Sequence, residues 1–286
     1  MRVTLARLWL PLAIGMLLLT GPGCSRKETP AAPAESAAAR PSSEAPSTGP
    51  MASPAGEPGS TTRGEIAGMR YLEHLTGGAR PDERVPMIVA LHPMGGDPAD
   101  FLQLLLRYRR RARLILPYGH PSGGMYIWYD SVRDDVAASI VTQETDRIAA
   151  ALASLLAARP TLGKPIITGF SQGGIMTFAL AVTHPETLAA AFPISGLLPP
   201  SLYPSAALGS TPRPATLPPV VAFHGAADLA VPTRGARDSI AELQHAGYAA
   251  ELHEYARVEH DISDQEMGEI LEWIGRAADG LAPSTR

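Results

Sequence analysis

Five short apolar runs constrain this chain most. They are Met87–Leu91, Ala112–Pro117, Ile166–Thr168, Ala189–Ile194 and Val220–Phe223, each closed by glycine or proline. Runs of this length and kind read as strands buried on both faces of a parallel sheet. Helix-period segments lie between and after them, at Asp134–Ala158, Gln172–Thr183, Thr233–Ala246 and Ser263–Ala278. Ser263 and Glu266 have capping-box spacing, which predicts a helix start just after His260. The alternation predicts an α/β fold: a mainly parallel sheet with helices on both faces, and ligands gathered beyond the C-terminal strand ends.

The first sixty residues stand apart from that pattern. Arg2 and Arg7 precede a twelve-residue apolar run, Leu8–Leu19. That run is short for a membrane span and fits an export signal, so residues 1–24 are expected to be a signal peptide. The sole cysteine, Cys24, follows directly. Its position resembles a bacterial lipobox, although Gly21 and Pro22 depart from the usual pattern. Lipidation of Cys24 is the expectation, since a lone thiol has little other use in an oxidising compartment. The alternative is an ordinary signal peptide with an incidental cysteine. In residues 25–63, 26 of the 39 are Ala, Pro, Ser or Gly, without apolar periodicity. Such a stretch buries too little surface to offset its ordering entropy and reads as a disordered tether. The folded domain is then expected over 64–286. From residue 64 onward, 18 basic residues face 24 acidic ones, and no basic patch suggests a nucleic-acid partner.

The sharpest chemical signal is Gly169-Phe170-Ser171-Gln172-Gly173, which fits G-x-S-x-G between a strand and a helix. A serine there sits on a tight turn above the sheet, and small neighbours make room for it. Serine needs a base, and the base an orienting acid, in the chain order Ser, Asp or Glu, His for this kind of sheet. His260 lies in a polar loop before the last helix and Asp228 in the loop after a buried strand, so these two are the expected base and acid. His224 reads as a brace for the Asp228 loop. The oxyanion of acyl transfer needs two N–H donors. Gln172, after the nucleophile, supplies one. Pro93 has no N–H, so Met94 is the expected second donor, in the loop Leu91-His92-Pro93-Met94-Gly95-Gly96-Asp97.

Together these segments resemble the phospholipase/carboxylesterase family, which includes acyl-protein thioesterases. The resemblance runs through that loop, Trp128-Tyr129-Asp130, Thr168 to Gly174, Ile194-Ser195-Gly196, the stretch His224 to Pro232, and His260. It implies an α/β-hydrolase fold and hydrolysis of carboxylic ester or thioester bonds, with no cofactor and no metal. It supports Ser171, Asp228 and His260 as a triad and Met94 and Gln172 as oxyanion donors. It also implies that Trp128 lies near the acyl pocket, unless that aromatic is plain core. Two departures stand out. The family usually has His-Gly where this chain has His92-Pro93, and its familiar members are cytosolic.

The expectation is therefore a serine hydrolase acting on small acyl esters or thioesters, exported and tethered to a membrane of the bacterial cell envelope through Cys24. Its rivals are a secreted polyester or feruloyl-type esterase, an acyltransferase to alcohols, and an inactive lipid-tethered binding module.

Overall fold

The computed structural model describes residues 59–130, 138–204 and 216–281. The expected signal peptide, Cys24 and the expected linker up to residue 58 lie outside the described residues. Among the described residues, ten strands and five α-helices follow one another: β1 (Thr61–Ile66), β2 (Met69–Thr76), β3 (Met87–Leu91), α1 (Pro98–Leu105), β4 (Ala112–Pro117), β5 (His120–Ser122), β6 (Met125–Ile127), α2 (Ala138–Ala158), β7 (Ile166–Phe170), α3 (Gln172–Thr183), β8 (Ala190–Ile194), β9 (Val220–Gly225), α4 (Thr233–His245), β10 (Ala250–Tyr255) and α5 (Asp264–Asp279).

Eight strands form one sheet in the order β1-β2-β4-β3-β7-β8-β9-β10. The six strands from β4 to β10 in that order are mutually parallel, and β1 and β2 are antiparallel. The five runs anticipated from sequence are β3, β4, β7, β8 and β9, and each is buried at every residue. Their side chains alternate between two cores. Met87, Val89 and Leu91 of β3 pack with α2, α3 and α4, whereas Ile88 and Ala90 pack with α1 and α5. Continuous apolar sequence in these strands follows from helices covering both faces.

Two differences from the sequence reading concern the N-terminal part of the domain. β1 begins at Thr61, three residues inside the stretch assigned to the linker, so the folded domain starts earlier than residue 64. The second is β2, which the apolar pattern does not reveal. Its Glu73 is buried between Arg113 of β4 and Arg159, whose Nε lies 3.0 Å away, and Arg159 also donates to the Tyr71 hydroxyl at 3.0 Å. Burial, with Arg159 close by, pulls the Arg113 guanidinium down to about 10. A buried acid paired with two buried arginines breaks the apolar signature.

The C-terminal helix starts as expected. Ser263 caps α5, its side chain accepting from Glu266 N–H while the Glu266 carboxylate accepts from Ser263 N–H. Helix α2 is described from Ala138; its anticipated first residues, 134–137, lie outside the described residues.

Candidate active site

The C-terminal ends of β3, β7, β8, β9 and β10 share one edge of the sheet, and the anticipated site residues follow four of them. Ser171 stands between β7 and α3 with φ 55° and ψ −117°. This is a left-handed, strained backbone for a non-glycine residue. The strain is held from several sides. Ser171 N–H donates to the Ile194 carbonyl at 2.9 Å. A Cβ on Gly173 would stand 2.1 Å from the Leu91 carbonyl oxygen, and one on Gly169 2.4 Å from the Gly173 carbonyl oxygen. Both positions therefore require glycine, and the start of α3 presses directly on the end of β3.

The structure brings Ser171, His260 and Asp228 together. Ser171 Oγ lies 2.8 Å from His260 Nε2, and His260 Nδ1 lies 2.7 Å from Asp228 Oδ2. A carboxylate can only accept, so Nδ1 carries the proton and Nε2 is free to accept from the serine hydroxyl. The ring stacks on Phe170 with centroids 5.0 Å apart. The loops bearing acid and base are also fastened to each other. Ala226 N–H donates to Tyr255 O and Ala227 N–H to Val258 O, both at 2.9 Å. A Cβ on Gly225 would meet the Val258 carbonyl oxygen at 2.4 Å, so this approach too depends on glycine.

Asp228 is fully enclosed but well satisfied. Oδ1 accepts from the Ala230 and Val231 N–H groups, each at 2.9 Å. Burial alone would raise its carboxyl. Contacts from His224, His260 and Val231 more than offset that and hold it below the usual carboxylate range. Asp228 does not cap the helix that begins at Thr233: Pro232 occupies the cap position without a side-chain bond. His224 bonds the Val231 carbonyl at 2.8 Å and lies 3.4 Å from Asp228 Oδ2, which makes it the brace of this loop.

The loop after β3 carries the other anticipated donor. Within its turn, Pro93 has no N–H, Gly95 N–H donates to Tyr126 O at 2.8 Å and Gly96 N–H to Pro93 O at 3.0 Å. From Pro93 to Gly96, the Met94 N–H alone finds no acceptor among the described residues. Gln172 is the first residue of α3, where N–H groups have no partner within the helix. Asp97, at the end of this loop, caps α1 by accepting from Ala99 N–H at 2.8 Å, with Pro98 in the first turn.

Trp128 packs against the loop after β3. It is fully buried, stacked on the His92 ring at 4.7 Å, and donates its indole N–H to the His92 carbonyl at 2.8 Å. These contacts match the core alternative of the sequence reading. His92 is the residue that sequence reasoning passed over. Its Nδ1 bonds the Pro93 carbonyl at 2.8 Å, and its Nε2 accepts from Gly119 N–H at 3.0 Å. An accepting Nε2 requires a neutral ring, and burial pulls His92 down to about 4.

That shift has a consequence for stability. In the unfolded chain His92 takes up a proton near its ordinary value of 6.5, and in the folded chain only near 4. Its contribution is complete above the first value and is lost as pH falls through the second, on the order of 3 kcal/mol. Urea denaturation of wild type and His92→Gln at pH 7 and pH 4 is expected to show this acid-side loss in the wild type only. The pairwise comparison separates it from Glu266, which burial pushes up to about 8.

Among the described residues no group of three or more His, Cys, Asp or Glu side chains could hold a metal ion, and no helix is long and apolar enough to cross a membrane.

A mainly parallel sheet with a strained serine turn at its C-terminal edge defines an α/β hydrolase. A model of the phospholipase/carboxylesterase family matches residues 111–277, and the chain belongs to that family. It is 32% identical over 114 residues to the carboxylesterase SOBER1 of Arabidopsis thaliana, covering 40% of this chain and 49% of that protein. The chain thus spans about half the length of the curated relatives it matches. Among solved structures, esterase PE8 superposes with a TM-score of 0.58 at 25% identity, covering 71% of this chain and 99% of that one. A carboxylesterase from Mesorhizobium loti gives a TM-score of 0.62 at 19% identity, covering 74% and 96%, a likeness of fold.

Proposed function

We propose that this protein hydrolyses carboxylic ester or thioester bonds through an acyl-enzyme on Ser171. The observation that carries this reading is the unbroken chain from Ser171 Oγ to His260 to Asp228, at 2.8 and 2.7 Å. His260 takes the hydroxyl proton as Ser171 Oγ attacks the carbonyl carbon. The imidazolium that forms is held by the Asp228 carboxylate. The oxyanion accepts hydrogen bonds from the Met94 and Gln172 N–H groups. As the tetrahedral centre collapses, the bond to the alcohol or thiol breaks and His260 returns the proton to the leaving group. Water then attacks the acyl-enzyme, giving a proton to His260; as the bond from Ser171 Oγ to the acyl carbon breaks, His260 returns that proton to Oγ and the carboxylic acid leaves.

An apolar acyl group suits the rim of the site. Leu229, almost wholly exposed, directly follows Asp228. Met125, also exposed, reaches the oxyanion loop at Gly95. Export and a membrane tether through lipidated Cys24 belong to the same proposal, on the strength of the leader, the cysteine and the Ala/Pro/Ser stretch behind it. An intact mass without lipid on Cys24 would remove the tether.

Product analysis tests the chemistry. Purified protein is expected to release free acid from acyl esters and thioesters, with water rather than added alcohol as acceptor. A preference for aryl esters such as feruloyl groups would favour the polyester or feruloyl-type reading. No hydrolysis of any of these would reject the proposal and favour the binding module.

A further inference from the structure

The two oxyanion donors sit on different elements, one on α3 and one on the loop after β3, yet a single side chain links them. Gln172 Oε1 accepts from Trp128 N–H at 2.9 Å, and Gln172 Nε2 donates to Tyr129 O at 2.9 Å. One contact demands an acceptor and the other a donor, so the amide has one allowed orientation. From Trp128 the link continues through the indole N–H to the His92 carbonyl, and through the stacked rings. His92 then bonds the Pro93 carbonyl, and the same 118–129 region holds Gly95 through Tyr126 O. Met94 is thus pinned on both sides. Gln172, Trp128 and His92 are all buried, so water cannot replace a lost bond.

We propose that the Gln172 side chain is a positioning group that sets the two oxyanion donors in register. Its backbone N–H is one donor. Its amide, through Trp128 and His92, fixes the loop that carries the other. This rests on the serine-hydrolase reading above. Pro93 makes the dependence acute: with no N–H at 93 and those of Gly95 and Gly96 already engaged, a shifted turn has no substitute donor to offer.

Gln172→Met keeps the backbone N–H and the side-chain length and removes both amide bonds. Trp128→Phe keeps a stacked ring and removes the indole N–H. Each is expected to lower kcat on p-nitrophenyl butyrate about 10- to 100-fold with KM changed less than about two-fold, because the oxyanion charge exists only in the transition state. Inhibition by phenylboronic acid, a tetrahedral mimic, should weaken in parallel with kcat. Both substitutions cut one link, so the double variant should fall no more than about two-fold below the weaker single variant. Unchanged kcat in both single variants, a rise in KM at constant kcat, or effects that multiply in the double variant would overturn the inference. Should Gln172→Met not fold, the kcat and KM of Trp128→Phe decide alone. Inactive wild-type protein would instead sink the serine-hydrolase reading, so the two failures are distinguishable.

Discussion

Replacing Ser171 by alanine is expected to lower ester hydrolysis on the order of 10⁶-fold, leaving only the residual rate that an oxyanion hole and binding supply. The buried hydroxyl of Ser195 cannot take over. Ser195, in the loop after β8, is fully buried, and its Oγ has no hydrogen-bond partner among the described residues, so no base can activate it. The fold should survive, since Ser171 forms no side-chain cap on α3 and alanine meets the same positive φ as serine. Retained activity within about ten-fold, in protein of unchanged thermal stability, would reject Ser171 as nucleophile.

Asp228→Asn should lower kcat about 10⁴-fold, through a proton in the wrong place rather than a lost contact. Oδ1 of residue 228 accepts from two backbone N–H groups. An asparagine keeps those bonds by placing its oxygen there, which turns its NH₂ towards His260. Nδ1 must then accept, the ring proton moves to Nε2, and Nε2 can no longer receive the Ser171 proton. The loss should ease at high pH, where hydroxide substitutes for the base. A variant within ten-fold of wild type at neutral pH would remove Asp228 from the mechanism.

The central strands were legible because each carries its evidence locally. β3 and β7 are apolar at nearly every residue, being covered on both faces, and glycines mark the turn at Ser171. The grouping of Ser171, Asp228 and His260 was legible by chain order, since a loop residue after a late strand can reach over the sheet to the turn at Ser171. β2 was not legible, because Glu73 and Arg70 interrupt its pattern and the partners that make Glu73 tolerable stand at 113 and 159. The β5–β6 hairpin was missed for a related reason. Its residues are largely exposed, and its role appears only where Tyr126 O holds Gly95. Trp128 shows the limit of motif reading: the motif placed it near the site, but whether it faces substrate or supports the loop is decided by His92 and Gln172, 36 and 44 residues away. Pro93, a departure from the family's usual glycine, leaves a loop whose free donor is Met94.

Labelling with a fluorophosphonate, which reacts preferentially with a serine activated by its base, is the most direct test. Wild-type protein should gain one adduct per chain, located by peptide mass spectrometry on Ser171, with activity falling in proportion, and Ser171→Ala should gain none. Absence of label on the wild type, or equal label on the variant, would contradict the account.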